Sequence, residues 1–198
     1  MLESILAWVA VVLLLATSTG LLINRDWRWD IGFLSMQYLS VAILVAQHWP
    51  LGMAAVKLVT GWMATAALGM TLNALPPHEE AVEQFWPKGR AFRFFMVGMI
   101  VILAVSAAPR IESATPGLGL PVIIGAILLS GIGLLHLGTT SQIERVIFAL
   151  LTVLAGFEIL YAAIEGSILV AALLVVVNLG LGLVGAYLMN ASEPEETA

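Results

Sequence analysis

Apolar residues dominate the chain in seven long runs that charged or turn-forming residues separate. The runs lie at about 4–23, 31–48, 51–72, 92–108, 119–137, 146–163 and 168–189. A membrane-spanning helix needs roughly 20 apolar residues, so seven spans use about 140 residues and leave only short connections. The pattern predicts an all-α fold, a polytopic membrane helix bundle of about seven transmembrane helices. The fourth run ends early, at Pro109-Arg110, and is therefore expected to be tilted or partly interfacial.

Composition supports the membrane assignment and narrows the chemistry. Of 198 residues, 61% are hydrophobic and 11% charged, which leaves no room for a soluble domain. The absence of cysteine excludes thiolate metal sites, iron–sulfur ligation and a cysteine nucleophile. No zinc-protease, phosphate-loop, nucleophile-elbow or dinucleotide motif occurs in a suitable context, and the three histidines are scattered. We expect no cofactor, no metal, no nucleic-acid partner, and no redox or hydrolytic site within this chain.

The distribution of basic residues orients the predicted bundle. Threading seven spans places six loop residues on one side and Arg110 alone on the other. The six are Arg25, Arg28, Lys88, Arg90, Arg93 and Arg145. The positive-inside rule makes their side cytoplasmic, so the N-terminus is expected outside and the C-terminus inside a cell (inner) membrane. Residues 1–23 lack a basic leader region and a clear cleavage site, and they are interpreted as the first helix rather than a signal peptide.

The spans divide into two units of three with one between them. The predicted parts are an N-terminal three-helix unit (1–73), a cytoplasmic loop (74–91), a linking helix (92–108), a C-terminal three-helix unit (119–189) and an acidic tail (190–198). A double proline and the aromatic pair Phe85-Trp86 predict a short interfacial helix in the loop. Gly20-Leu21-Leu22 is echoed by Gly133-Leu134-Leu135. Two parallel three-helix repeats, or chance similarity between Leu/Gly-rich helices, explain this echo equally well.

Two charged residues fall inside predicted spans. A charge near the membrane centre costs about 3 kcal/mol on insertion scales, so such residues are candidates for function. Glu158 lies about 8 Å from the outer end of span six, and Lys57 about 9 Å from the outer start of span three. The matching depths allow an ion pair beside a proton path. Alternatively, Glu158 only locks helices together, and Lys57 extends its stem to the outer interface.

Other polar residues in or near the predicted spans are candidates for the same proton path. Asn178 lies near the middle of span seven, with Gly182 and Gly185 on its face, so it either passes a hydrogen bond or joins helices. Tyr161 and Glu165 share the helical face of Glu158 and would extend the path outward. The predicted proton relay is Glu158, Asn178, Lys57, Tyr161 and Glu165. Weaker candidates near helix ends are Gln37, Gln47, His48 and His136.

The last three spans resemble a known family. Residues 126–135, the loop with Arg145, and residues 147–159 with Gly156-Phe157-Glu158 are similar to the K-subunit family of respiratory complex I. That family includes the C subunit of multisubunit cation/proton antiporters and hydrogenase-4 component E. Its members carry a Gly-Leu-Glu-like motif in the second of three helices, after a basic cytoplasmic loop. The resemblance covers about residues 119–189, and Asn178 stands where the family commonly has a second acid.

The resemblance implies a membrane-arm subunit of a complex I-like, hydrogenase-like or antiporter-like assembly. Glu158 would be its buried carboxyl for proton or cation translocation, and larger antiporter-like subunits, other small membrane subunits and the lipid bilayer would be its partners. The chain would then be a non-catalytic subunit of an NADH-quinone oxidoreductase-like translocase. Two alternatives stay open: a structural or assembly subunit without a transport role, and a small stand-alone membrane transporter.

Overall fold

A computed structural model describes residues 2–24, 26–75 and 89–191. These residues form seven α-helices and no β-strand, which confirms the predicted all-helical membrane bundle. The helices are α1 (Leu2–Ile23), α2 (Trp27–Val45), α3 (Leu51–Ala74), α4 (Arg90–Ala114), α5 (Leu120–Thr139), α6 (Ile143–Ile164) and α7 (Ile168–Ala191). The predicted interfacial helix and most of the acidic tail lie outside the described residues.

Six of the seven helices are long and apolar enough to cross a membrane, and α2 is the exception. Its 19 residues extend about 28 Å, which matches the hydrocarbon thickness of a bilayer. Its sequence, however, includes Asp30, Gln37, Tyr38 and two serines. Because α2 packs against α1, α3 and α6, these polar groups face other helices rather than lipid. A helix with this composition fits the interior of a membrane bundle.

Two helix boundaries differ from the sequence prediction. Helix α2 begins at Trp27, four residues early, because the Asp26 side chain accepts a hydrogen bond from the Arg28 backbone N–H at 3.0 Å and caps the helix. Helix α4 was expected to stop at Pro109, but it continues to Ala114. Proline removes one backbone donor there, and the helix continues past it for another turn. The fourth span is therefore a full-length helix of 25 residues rather than a short one.

The helices pack in a pattern that relates the two halves of the chain. Helix α1 packs against α5, α2 against α6, and α3 against α7, while the close neighbours of α4 among the described helices are α5 and α1. Helices α2 and α6 are joined start to start and end to end. Near the start of α6, Arg145 donates a hydrogen bond to the backbone oxygen of Asn24, just before α2. Just after α2, Trp49 donates one to the backbone oxygen of Glu165, just after α6. Helices α2 and α6 therefore run parallel.

The two ends of the bundle differ in charge. The end where α1 finishes and α2 and α6 begin carries Arg28, Arg90, Arg93 and Arg145, and is here called the basic end. The other end, with Pro50, Leu120 and Ile164, is called the opposite end. Large apolar side chains cover much of the outer surface, for example Ile102, Val176 and Leu183, each more than 60% exposed. Such a surface suits a lipid environment.

Candidate functional site

An ion pair lies in the interior of the bundle. The Lys57 ammonium donates a hydrogen bond to Oε1 of Glu158, and the two side chains are only 5% and 1% exposed. Helices α3 and α6 are not close neighbours; each packs against α2 and α7, so the pair spans the space between those two helices. Lys57 does not extend to the membrane surface, and the alternative in which its stem reaches the interface is wrong.

A second polar contact crosses the same space along the other diagonal. The Tyr38 hydroxyl donates a hydrogen bond of 2.9 Å to Oδ1 of Asn178, joining α2 to α7. Both residues are close enough to the Glu158 carboxyl to interact with it electrostatically. Tyr38, Lys57, Glu158 and Asn178 are all buried and come one from each of four helices; they are here called the buried polar cluster.

Small residues make room for this cluster. Gly61 on α3 lies flat against the Tyr38 ring, and any side chain carbon at position 61 would overlap the ring. Gly182 on α7, one helical turn from Asn178, would bring a Cβ to 2.9 Å from the Cβ of Ala64. These glycines let α3 approach α2 and α7 closely enough for the polar groups to meet. The pairing of Asn178 with Gly182 and Gly185 thus serves helix packing as well as hydrogen bonding.

Polar contacts continue from the cluster toward the basic end. Gln37 Nε2 donates to Thr152 Oγ1 at 3.3 Å, again joining α2 to α6, and both side chains are buried. At the basic end itself, Asn24 donates to Asp30 Oδ1 at 3.0 Å, and Arg145 donates to the Asn24 backbone oxygen at 2.8 Å. Asp30 and Arg145 are 3% and 6% exposed, which is rare for charged residues.

The two outermost members of the predicted relay do not belong to the buried polar cluster. Helix α6 ends at Ile164, so Glu165 adopts an extended conformation, and its side chain is exposed. The expectation that Glu165 continues the Glu158 face is wrong, because the helical periodicity stops one residue earlier. Tyr161 remains on α6, but its ring packs against the rings of Trp49 and Phe157, and its buried hydroxyl has no hydrogen-bond partner among the described residues.

The weaker candidates are dispersed. Gln47 is exposed, and His48 contacts the backbone oxygen of Gly117 at 3.3 Å near the opposite end. His136 is buried on α5 near Arg145 and Arg93, and no described residue hydrogen-bonds its Nε2. Within the part of the chain that the structure describes, no three acidic or histidine side chains gather as metal ligands do.

The buried polar cluster can hold and exchange one proton. With Lys57 charged and Glu158 ionised, the pair is neutral overall; transfer of the shared proton leaves both groups uncharged; addition of one further proton leaves a single positive charge. Tyr38 and Asn178 can adjust their hydrogen bonds as the carboxyl changes state. Such changes are small in geometry but large in local charge, because the surroundings have a low dielectric constant.

Sequence reasoning missed Tyr38, Thr152 and Asp30. Tyr38 belongs to the buried polar cluster, Thr152 bonds Gln37, and Asp30 lies near Arg145 at the basic end. Tyr38 follows Gln37 in the middle of the least apolar run, and this low apolarity was the available signal. Thr152 gave none, since a threonine hydroxyl can bond its own helix, as Thr152 also does with the Phe148 oxygen at 2.8 Å. Asp30 fell in the predicted loop because the second apolar run was expected to begin at residue 31, whereas α2 begins at Trp27.

Known proteins offer no guide to this arrangement. Comparisons with protein-family models, with curated proteins and with solved structures find no match to the chain. The function is therefore inferred from the chemistry of the residues described above.

Proposed function

We propose that the chain is a membrane-arm subunit of a complex I-like, hydrogenase-like or antiporter-like ion-translocating assembly, in which Glu158 accepts and releases a proton during transport. Lys57 is the counter-charge that holds the carboxylate form, and Asn178 and Tyr38 are the neutral hydrogen-bonding partners. The subunit supplies a protonatable site, while energy from redox chemistry or an ion gradient enters elsewhere in the assembly.

The observation that carries this proposal is the Lys57–Glu158 pair inside the bundle. An ion pair in a membrane interior contributes little to stability compared with apolar residues of similar volume. Intramembrane charges are accordingly rare and mark ion or proton pathways. The position of Glu158 in Gly156-Phe157-Glu158, on the second helix of a three-helix unit, supports the same assignment through the family resemblance.

The orientation of the basic end completes the proposal. The positive-inside rule assigns that end to the cytoplasm, which puts Glu158 and Lys57 nearer the outer surface, at about 9 Å from the opposite end of their helices. The apolar surface of the bundle would face lipid over part of its circumference and neighbouring membrane subunits over the rest.

The test is proton translocation by native membranes that contain Glu158→Gln in this subunit. Because glutamine keeps the shape but cannot take up a proton, translocation is expected to fall to a small fraction of the unmodified rate while the assembly forms normally. Glu165→Gln is the matched control, since its side chain is exposed and lies seven residues along the same segment. Normal translocation by the Glu158→Gln variant would reject the relay and favour a structural subunit.

A further inference from the structure

The contact between α2 and α6, here called the α2–α6 seam, changes character along its length. The Gln37–Thr152 hydrogen bond joins residues 115 apart in the chain. The same offset matches Asp30 with Arg145 and Leu44 with Ile159, and the three levels are seven residues, or about 10 Å, apart. The seam is thus charged at the basic end, polar in the middle, and apolar toward the opposite end.

Asn24 joins the two residues of the charged level. Its side-chain amide donates a hydrogen bond to Asp30, and its backbone oxygen accepts one from Arg145. Three other ionisable groups lie near this level. Asp26 and Glu144 interact electrostatically with the Asp30 carboxyl group, and His136 interacts electrostatically with Arg145. Arg93 from α4 also approaches His136 and donates to the Leu22 backbone oxygen at 2.7 Å. This level lies at the basic end of the bundle, where α2 and α6 begin.

Among the described residues, three buried polar atoms between the basic end and Glu158 have no hydrogen-bond partner. They are Oγ1 of Thr19 on α1, Nε2 of His136 on α5 and Oε1 of Gln37 on α2. A buried polar group without a partner is costly, and internal water commonly satisfies it. Thr19 and His136 lie about 5–6 Å from the basic ends of their helices and Gln37 about 15 Å, so water bound at these atoms would extend from the basic end toward the buried polar cluster.

Toward the opposite end, the facing residues of the seam are apolar. Leu44 and Ile159 are fully buried in an apolar cluster that also includes Trp49 and Ala155. Two buried polar atoms on this side, the Tyr161 hydroxyl and His48 Nδ1, have no hydrogen-bond partner among the described residues, and the Tyr161 ring packs against the rings of Trp49 and Phe157. At the level of Leu44 and Ile159, the seam is therefore closed by apolar side chains.

We infer that the α2–α6 seam is a one-sided access path, by which protons reach Glu158 from the basic end through a hydrogen-bonded chain positioned by Gln37 and Thr152. One proton taken from water at the basic end adds to the Glu158 carboxylate, and Lys57 keeps its positive charge. Leu44 and Ile159 close the seam toward the opposite end. That the path carries a transported proton rests on the proposed function, whereas the side from which the path is accessible can be measured independently.

Silver-ion accessibility in native membranes tests this path. Silver ions are small, water-borne and thiol-reactive, and the chain has no cysteine of its own, so each introduced thiol is unique within it. Thr152→Cys places the thiol nine residues from the basic end of α6, and Ala155→Cys places a matched thiol nine residues from its opposite end. Both positions are buried, at 2% and 0% exposure. Protection from later maleimide labelling of the denatured chain reports silver binding.

We expect silver applied at the basic side to protect Thr152→Cys completely, silver applied at the opposite side to leave it labelled, and Ala155→Cys to stay labelled in both cases. Gln37→Cys probes the same level from α2 and is expected to behave like Thr152→Cys. Two results overturn the inference: protection of Thr152→Cys by silver at the opposite side, or protection of Thr152→Cys by silver at the basic side that is no faster than that of Ala155→Cys.

A pair of variants tests whether the path carries protons. Thr152→Val removes the hydroxyl at nearly constant volume and is expected to lose most of the translocation rate, whereas Thr152→Ser keeps the hydroxyl and is expected to retain it. Equal rates in the two variants would contradict a role in transfer. Silver access from the basic side together with normal translocation by Glu158→Gln would support the path and reject the proposed function. No silver access from the basic side together with lost translocation by Glu158→Gln would reject only the path.

Discussion

Lys57 and Glu158 lie where a single charge is expensive, and their pairing changes what each residue can do. Either charge alone costs on the order of 3 kcal/mol at the centre of a membrane helix. Together they form a neutral unit, supported by the neighbouring Tyr38 and Asn178. A group of this kind is stable only as a unit, so loss of one member should be worse than loss of both.

The first prediction concerns this interdependence. Lys57→Met leaves a buried carboxylate without its cation and is expected to lower the free energy of unfolding by roughly 3–5 kcal/mol, as for other buried pairs that lose one partner. Adding Glu158→Gln to Lys57→Met is expected to recover a large part of the loss. Reversible unfolding of the purified protein in detergent or bicelles measures both. Purely additive effects of the two substitutions would show that the residues are not coupled.

At the scale of elements, α2 is the helix that organises the site. It contacts α1, α3 and α6, and it supplies Gln37 and Tyr38 to partners on α6 and α7. Its low apolarity excludes it from the helices that would cross a bilayer on composition alone. The polar residues that lower its apolarity are the ones that the other helices bind, so its position in the bundle depends on these contacts.

Gly61 offers a test of how closely α3 must approach α2. Gly61→Ala is expected to push the Tyr38 ring away, break its hydrogen bond to Asn178, and reduce translocation together with stability. A hydrogen bond between membrane helices contributes about 0.6–1.7 kcal/mol, and the steric overlap adds to that loss. Gly69→Ala on the same helix is the control, because its Cβ would sit at an ordinary 3.6 Å from Ile31. Equal activity of the two variants, measured in matched membranes, would argue against a required close approach.

Hydrophobic periodicity predicted the number and approximate limits of the helices because lipid requires long, internally bonded segments. It also singled out Lys57 and Glu158, since charges stand out against apolar neighbours, and their shared depth made an ion pair possible without predicting it. It could not find the partners of those charges. Tyr38 reaches Asn178 across 140 residues of chain, and Thr152 reaches Gln37 across 115. The Glu165 error has a local cause: where α6 ends depends on the turn around Gly166, which periodicity does not resolve.

The whole molecule shows a correspondence between its halves that bears on the predicted repeat. Each helix of the first three packs against the helix four places later, α1 on α5, α2 on α6 and α3 on α7. Two three-helix units of the same orientation, lying side by side in the membrane, would pack in this way. The charges, however, are unequal: α3 supplies Lys57, whereas α6 supplies Glu158. The repeat stays a prediction, and any functional asymmetry would follow from these unlike residues.

The outer surface leads to a prediction about assembly. Among the described helices, α4 packs closely against α5 and α1, and its exposed side includes Phe95, Ile102 and Leu103. A subunit of a larger assembly is expected to co-purify with much larger antiporter-like membrane proteins in mild detergent. Quantitative mass spectrometry of the purified material provides the measurement. A homo-oligomer that transports ions after reconstitution alone would instead identify a stand-alone transporter.

The most direct measurement of the central claim is infrared difference spectroscopy of the working assembly. If Glu158 gains and loses a proton during transport, the difference between resting and energised states contains a carboxylic-acid carbonyl band that shifts in heavy water. That band is expected to disappear in Glu158→Gln and to persist in Glu165→Gln. A band that survives Glu158→Gln unchanged would contradict the account, because the transported proton would then reside on another group.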